Sequence, residues 1–302
     1  MSALRRYAAE WTRRSELGSL SLLRFMVWLS LRAGRGPTRL LLHPIAAYFL
    51  CCAWSARRAS RLFLERCLGR RPTVRELYGL FLSFASAVHD RVYFLKGRFD
   101  LFEIEVNGAE HFDARGALLM GAHLGSFEVL RACGRFMAHR EVAMAMYEEN
   151  ARKVNAVLAA IEPAAARDII ALGRIDSMLE LGARLDAGAL VGVLADRTLG
   201  EEAAIAVPFL GKPARFPLGP MRVAAALKRR VFFMTGLYRG GNRYEIHFEP
   251  LADFSDLGDA PRAEREPRVR DAVAEYARRV EHYSRAAPNN WFNFHDFWER
   301  VP

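Results

Sequence analysis

Residues 117–128, ALLMGAHLGSFE, decide the fold. The first five are apolar without alternation, which predicts a strand that is buried on both faces of a sheet. Gly125 permits an unusual backbone conformation, and Ser126 can cap a following helix. His123 lies between the predicted strand and the predicted helix. The sequence therefore predicts a strand–turn–helix unit with an ionisable side chain at the carboxyl end of the strand.

The same alternation of strands and helices continues on both sides of this unit. Further runs with strand character cover residues 102–106, 142–147, 168–172, 189–194, 231–238 and 244–248. Stretches with helical character cover residues 126–138, 150–161, 175–187, 217–229 and 265–286. This order predicts an α/β fold with a mixed, mostly parallel central sheet flanked by helices. We expect that α/β domain to cover residues 99–302 and a helical region to cover residues 1–98.

The positive charge of the chain is concentrated in the helical region. The net charge is +10, yet residues 1–80 alone contain fifteen arginines, no lysine and four glutamates. Two strongly apolar stretches, residues 17–31 and 40–54, lie between these arginines. Apolar helices flanked by arginine are typical of segments that lie in a membrane interface or form a short anchor. Two buried helices with a solvated basic rim are the alternative, and a nucleic-acid arm is disfavoured by the apolar residues.

Chemistry in such folds gathers beyond the carboxyl ends of the strands. His123 follows one strand, and Glu128 lies five residues later in the first turn of the predicted helix. A carboxylate that accepts one ring N–H leaves the other imidazole nitrogen as a base and stabilises the imidazolium. We therefore predict a His123–Glu128 dyad that deprotonates a hydroxyl of the substrate. The alternative is a histidine that only completes the hydrogen bonding of a turn.

Two further strand ends carry charged residues. Asp196 and Arg197 follow the run 189–194, and Arg174 follows the run 168–172. Asp196 and Arg197 form either a salt bridge or a substrate-binding pair, in which the guanidinium faces an anionic group. The sequence contains no HExxH motif and no histidine cluster with ligand spacing, so we expect no metal site.

Together these residues resemble the lysophospholipid acyltransferase superfamily and, within it, the lipid A biosynthesis (lauroyl/myristoyl) acyltransferases. HLGSFE at residues 123–128 resembles that family's HLGNWE block. LADRTLG at residues 194–200, followed by VPFLG at 207–211, resembles its aspartate-containing strand end and VPFFG block. Ser126 and Phe127 depart from the family pattern. The tail PNNWFNFHDFW at residues 288–298 looks more like a divergent branch found beside enzymes that build polyketides and aryl polyenes.

The resemblance implies an enzyme that moves a fatty acyl group from an acyl-carrier-protein or coenzyme A thioester to a hydroxyl or amine of a lipid or glycolipid. It implies His123 as general base and Glu128 as the orienting acid. Backbone N–H groups near Gly125 and Ser126, or a nearby cation, would stabilise the oxyanion. Arg197 and Arg174 would contact phosphate or carrier.

No cofactor beyond the thioester co-substrate is expected from the resemblance. The implied partners are an acidic carrier protein, an anionic phospholipid membrane and a lipid acceptor, without nucleic acid. The implied location is the cytoplasmic face of a bacterial inner membrane, either peripheral or with one short N-terminal anchor. Two alternatives stay open at this point: a catalytically inactive, membrane-binding relative, and a thioester or lipid hydrolase that uses the same dyad on water.

Overall fold

The fold is built on one seven-stranded sheet, seen in a computed structural model of the chain. The structure describes residues 20–113, 115–129, 141–147, 161, 169–172, 175–198, 202–258 and 261–298. The strands are β1 (Glu103–Asn107), β2 (Ala117–Gly121), β3 (Val142–Tyr147), β4 (Ile169–Leu172), β5 (Leu190–Leu194), β8 (Arg230–Tyr238) and β9 (Arg243–Asp253). Their order across the sheet is β1-β9-β8-β2-β5-β3-β4. Only the β8–β9 pair is antiparallel among these neighbours, which confirms the predicted mixed, mostly parallel sheet.

Helices precede the sheet and flank it. The first group is α1 (Leu20–Ala33), α2 (Arg35–Arg39), α3 (Leu42–Cys52), α4 (Trp54–Leu68) and α5 (Val74–Leu95). The later helices are α6 (Ile175–Asp186), α7 (Gly219–Ala226) and α8 (Arg262–Ala286). The predicted helices at 175–187, 217–229 and 265–286 are confirmed within a few residues. Residues 130–138 and 150–160 of the other two predicted helices lie outside the described residues.

The sheet is buried on both faces, as the apolar run in β2 predicts. All five residues of β2 are buried. Leu118 and Met120 pack into the larger core cluster, whereas Ala117 and Leu119 face a second cluster on the other side. This alternation follows from the two-residue period of a strand, and it leaves polar chemistry only at the strand ends.

A two-stranded hairpin that the sequence reading did not place lies beside this sheet. Its strands are β6 (Ala204–Phe209) and β7 (Lys212–Pro217), which pair antiparallel. Leu210 and Gly211 form the turn, both with positive φ. The VPFLG stretch therefore belongs to this hairpin.

The helical region and the sheet share one hydrophobic core. Phe63 and Leu64 of α4 pack in the same cluster as Leu118 of β2. A buried ion pair adds a second connection: Asp90 of α5 accepts two hydrogen bonds from Arg35, at 2.8 and 2.9 Å, and one from Tyr244 of β9 at 2.9 Å. The change from helices to strands lies near residue 98, where the sequence predicts the boundary. The division of the chain into two domains at this point stays a prediction.

The apolar stretches of the helical region form α1, α3 and the start of α4. Among the described residues, no single helix is long and apolar enough to cross a membrane. The segments Arg35–Cys52 and Trp54–Leu68 reach that length and composition only together, and they meet at a bend of 92°. The placement of residues 40–54 on or across a membrane stays a prediction.

Candidate active site

The site forms where two neighbouring strands end. Strands β2 and β5 are parallel, and Gly121 at the end of β2 pairs with Leu194 at the end of β5. His123 and Asp196 each lie two residues beyond that last pair. The backbone holds the two ends together one step further, because the Ala195 N–H donates to the Gly121 carbonyl at 2.9 Å. The register of the sheet thus brings the imidazole and the Asp196 carboxylate side by side.

His123 and Asp196 form a hydrogen-bonded pair. Nδ1 of His123 lies 2.8 Å from Oδ1 of Asp196, and the backbone N–H of His123 donates to Oδ2 at 3.2 Å. Asp196 is fully buried, whereas 28% of the His123 side chain is exposed. Since a carboxylate only accepts, Nδ1 carries the proton and Nε2 is the basic nitrogen. The geometry suits proton transfer to Nε2 from a group that approaches from the exposed side.

Burial and charge set the protonation states of the pair. Burial, and then the charge of Arg197, lower the pKa of His123, against the opposing effect of Asp196. Burial raises the pKa of Asp196, but the charge and hydrogen bond of His123, with Arg197 and Asn293, outweigh it and hold that pKa below its usual range. The pair therefore consists of an ionised aspartate and a neutral imidazole at physiological pH.

This geometry corrects the predicted His123–Glu128 dyad. The carboxylate in contact with Nδ1 belongs to Asp196, and the Glu128 carboxylate instead lies 3.3 Å from Nε of Arg91 on α5. Glu128 is buried in the helical turn that follows Ser126. Any other part for Glu128 in the reaction stays a prediction.

The predicted donors at Gly125 and Ser126 are also corrected. The Gly125 N–H donates to the Asn290 carbonyl at 2.8 Å, and the Ser126 N–H donates to the Gly236 carbonyl at 2.7 Å. Both N–H groups therefore hold the turn against β8 and the C-terminal tail, and neither is available to an oxyanion. Gly125 has φ +78°, and a Cβ there would lie 2.1 Å from the Gly236 oxygen, so the turn requires glycine.

The remaining predicted substrate contacts have different outcomes. Asp196 is fully buried, and its two oxygens are bonded to His123 and Asn293, so it is not a substrate-binding residue. The half-buried Arg197 donates from Nε to Oδ1 of Asn293 at 2.5 Å and from Nη2 to the Phe292 carbonyl at 3.4 Å. Its contact with a substrate stays a prediction. Arg174 lies outside the described residues.

Asn293 is the site residue that the sequence reading missed. Its amide donates to Oδ2 of Asp196 at 2.7 Å, although 97 residues separate the two along the chain. The sequence indicates the tail motif at residues 288–298 only as the mark of a divergent branch of the family. Two asparagines near the middle of that segment, Asn290 and Asn293, are the one signal that pointed to buried polar contacts, because a buried amide requires partners.

Within the described ranges, no group of three or more His, Cys, Asp or Glu side chains is arranged to hold a metal ion. The reacting groups that the structure brings together are an imidazole base, its aspartate and the neighbouring guanidinium of Arg197. Such a set can remove a proton from a hydroxyl and can place positive charge near a developing oxyanion.

The sheet topology and the histidine–carboxylate pair at the strand ends define an α/β protein with a candidate active site at the carboxyl edge of its sheet. The chain belongs to the bacterial lipid A biosynthesis acyltransferase family, whose model matches residues 22–300. The protein is therefore an acyltransferase of the lipid A biosynthesis type, which confirms the lipid A acyltransferase family that the sequence resembles.

Two other comparisons were made. No curated protein matches the chain. Among solved structures, the chain is similar to the 1-acyl-sn-glycerophosphate (LPA) acyltransferase PlsC from Thermotoga maritima, at 17% identity and a TM-score of 0.39, over 80% of this chain and 96% of that one.

The tight turn after His123 generates a prediction on stability. Gly125→Ala introduces both a left-handed alanine and a clash with the Gly236 backbone, and we expect a loss of about 3 kcal/mol in the free energy of unfolding. Gly211→Ala is the matched control, because Gly211 has φ +79° with nothing within 4 Å of its Cβ position. That control is expected to lose about 1 kcal/mol. Urea denaturation measures both, and equal losses in the two variants would contradict the close approach at Gly125.

Proposed function

We propose that the protein transfers a fatty acyl group from an acyl-carrier-protein or coenzyme A thioester to a hydroxyl, or an amine, of a lipid or glycolipid. His123 is the general base of this reaction. Asp196 orients the imidazole and stabilises the positive charge of the imidazolium that forms. The observation that carries the proposal is the contact between His123 Nδ1 and the buried Asp196 carboxylate. It leaves Nε2 basic on a side chain that solvent and substrate reach.

The proposed reaction uses that nitrogen twice. His123 Nε2 takes the proton of the acceptor hydroxyl while the hydroxyl oxygen attacks the thioester carbonyl carbon. The tetrahedral intermediate then breaks its C–S bond, and the departing thiolate receives the proton from the imidazolium. The products are an ester and a free thiol, and Asp196 remains ionised throughout.

The negative charge that develops on the carbonyl oxygen requires a hydrogen-bond donor, and Arg197 is the residue best suited to that role. After burial, the charge of Arg197 is the next largest effect that lowers the pKa of His123. Its own pKa is lowered by burial, against the effect of Asp196, but a guanidinium stays charged at any pH the enzyme meets. We infer that Arg197 stabilises the oxyanion, the part for which the sequence reading named a nearby cation as the alternative to Gly125.

We infer further that the protein works at an anionic membrane, on the cytoplasmic face of a bacterial inner membrane. Phe25, Trp28 and Leu31 recur at every third residue on one face of α1, and all three are exposed. Trp54 at the start of α4 is 73% exposed, with the guanidinium of Arg57 4.2 Å above its ring. Exposed aromatic residues beside arginines suit the level of the phospholipid headgroups.

The positive charge of the helical region also favours acidic partners. Residues 1–80 hold the whole positive excess of the chain, and an acidic acyl carrier protein and anionic lipid would both be attracted to it. We propose both as partners of the reaction, with no cofactor other than the thioester co-substrate.

The first prediction concerns turnover. His123→Gln and Asp196→Asn are each expected to lower kcat by about 1,000-fold, because the first removes the base and the second allows the wrong imidazole tautomer. Asp186→Asn, an exposed residue of α6, is the matched control and is expected to keep the wild-type rate. Mass spectrometry of products from labelled acyl thioester and a bacterial lipid extract measures the transfer.

The products also separate the alternatives. An acyl-lipid that disappears in His123→Gln supports the transferase. Free fatty acid without acyl-lipid would establish a hydrolase instead, and a lipid product that does not depend on His123 would contradict the proposed base.

The second prediction concerns pH. Since neutral His123 is the active form and its pKa lies below the 6.5 of a free histidine, kcat/KM is expected to be constant near pH 7 and to fall on acidification with a midpoint below 6.5. Arg197→Gln removes the neighbouring positive charge and is expected to move that midpoint upward. Circular dichroism at each pH verifies that the fold is intact, and a midpoint above 6.5 in the wild type would contradict the proposal.

The third prediction concerns the membrane. Trp28→Ser and Trp54→Ser each remove exposed aromatic area, and each is expected to weaken binding to phosphatidylglycerol vesicles by on the order of tenfold. Leu179→Ser on α6 is the matched control, because Leu179 is 71% exposed but lies outside the helical region. Vesicle sedimentation measures the binding. Equal effects in all three variants, or equal wild-type binding to phosphatidylcholine vesicles, would contradict a basic aromatic membrane surface.

A further inference from the structure

The C-terminal tail after α8 lies against the turn that carries His123. The Phe292 N–H donates to the His123 carbonyl at 2.7 Å, and the Asn290 carbonyl accepts from the Gly125 N–H at 2.8 Å. Trp291 between them is buried and stacks on Phe63 of α4, with ring centroids 5.5 Å apart. The tail is thus fixed on both sides of the catalytic histidine by backbone hydrogen bonds and by an aromatic anchor.

The next tail residue reaches the charged groups of the site. The Asn293 amide nitrogen donates to Oδ2 of Asp196 at 2.7 Å, and its amide oxygen accepts from Nε of Arg197 at 2.5 Å. Only one orientation of the amide satisfies both contacts, because a carboxylate only accepts and a guanidinium only donates. Asn293 is 2% exposed, so neither bond has water as a ready substitute.

These contacts divide the two oxygens of Asp196 between two tasks. Oδ1 faces Nδ1 of His123, and Oδ2 receives the Asn293 amide and the backbone N–H of His123. The torsion that aims Oδ1 at the imidazole is therefore set from the other oxygen. The same amide holds Arg197 beside the pair.

We propose that Asn293 is a positioning residue of the acyltransferase, which fixes the Asp196 carboxylate toward His123 and holds Arg197 at the same site. The inference rests on the proposed function of the His123–Asp196 pair. It also assigns a task to the segment after α8: Asn293 contributes to the active site although it lies 97 residues beyond Asp196 in the chain.

The neighbouring Asn290 provides a built-in comparison. It is as buried as Asn293, but among the described residues its side chain bonds only to the backbone of Tyr238, donating at 3.0 Å and accepting at 2.8 Å. Asn290 therefore stabilises the packing of the tail without contact to an ionisable group. Replacing each asparagine separates the effect of loosening the tail from the effect of releasing Asp196.

The ionisable groups around the imidazole belong to α5, to α8, to the segment after β5 and to the turn after β2. Asp196 and Arg197 follow β5, and both act on the protonation of His123. Tyr276 of α8, whose hydroxyl donates to the Gly121 carbonyl at 2.6 Å, faces the same strand ends. Arg91 of α5 pairs with Glu128 in the turn that follows His123. Asn293 bonds directly to Asp196 and Arg197, the two groups that act on the protonation of His123.

The test follows the titration of His123 in the full-length protein without substrate. NMR of the imidazole resonances gives its midpoint, and His123→Gln assigns the signal. Asn293→Asp places a second carboxylate beside Asp196, and we expect the His123 midpoint to rise by about 1 pH unit. Asn290→Ala is the control and is expected to leave the midpoint at the wild-type value, although the variant melts at a lower temperature.

A kinetic measurement complements the titration. Asn293→Leu keeps the number and branching of the side-chain heavy atoms but removes both hydrogen bonds, and we expect kcat for acyl transfer to fall by about 100-fold with little change in KM. Thermal melting verifies that each variant is folded at the assay temperature.

The outcomes separate the two levels of the inference. An unchanged His123 midpoint in Asn293→Asp, or an equal change in Asn290→Ala, would overturn the positioning role even if both variants lose activity. If the midpoint shifts in Asn293→Asp but the wild-type protein transfers no acyl group, the proposed function is overturned and the positioning role of Asn293 stands. A shifted midpoint together with a selective loss of kcat supports both.

Discussion

The structure depends on the register between two parallel strands. Gly121 of β2 pairs with Leu194 of β5, and both chains continue for two residues to His123 and Asp196. A slip of one residue would turn each side chain to the opposite face and separate the pair. The catalytic contact is therefore a property of the sheet, and the packing on both faces of β2 is what holds the register in place.

Burial of Asp196 imposes the second constraint. A fully buried carboxylate is costly unless hydrogen bonds and a positive charge compensate it. This chain compensates with the backbone and ring of His123, the Asn293 amide and the nearby charge of Arg197. Since Asn293 belongs to the segment after α8, the packing of that segment contributes directly to the compensation of the Asp196 charge.

Much of the fold was predictable because its signals are local. The apolar runs of the seven strands in the main sheet are legible in the sequence, and so are the helices predicted at 175–187, 217–229 and 265–286, whose bounds agree within a few residues. The β6–β7 hairpin was missed since Leu210 adopts a positive φ, a conformation that its side chain does not signal. Pairing of the strands was not predictable from one sequence, because strand order depends on contacts between distant segments.

The same distinction explains the outcome at the site. His123 was found because its strand and its turn are adjacent in the chain. Glu128 was predicted as its partner from its place in the first turn of the next helix and from the family resemblance. Asp196 is 73 residues away and becomes a neighbour only through the β2–β5 register. Asp196 and Arg197 were noticed as a strand-end pair but assigned to the substrate. Asn293 lies further away still, and no local pattern connects its amide to a carboxylate after β5.

The most direct test of the central claim is the NMR signal of the His123 Nδ1–H in the wild type, in Asp196→Ala and in Glu128→Gln. The account predicts a low-field, slowly exchanging proton in the wild type, its retention in Glu128→Gln and its loss in Asp196→Ala. Loss of the signal in Glu128→Gln with retention in Asp196→Ala would contradict the account, because it would return the orienting role to the acid five residues from His123.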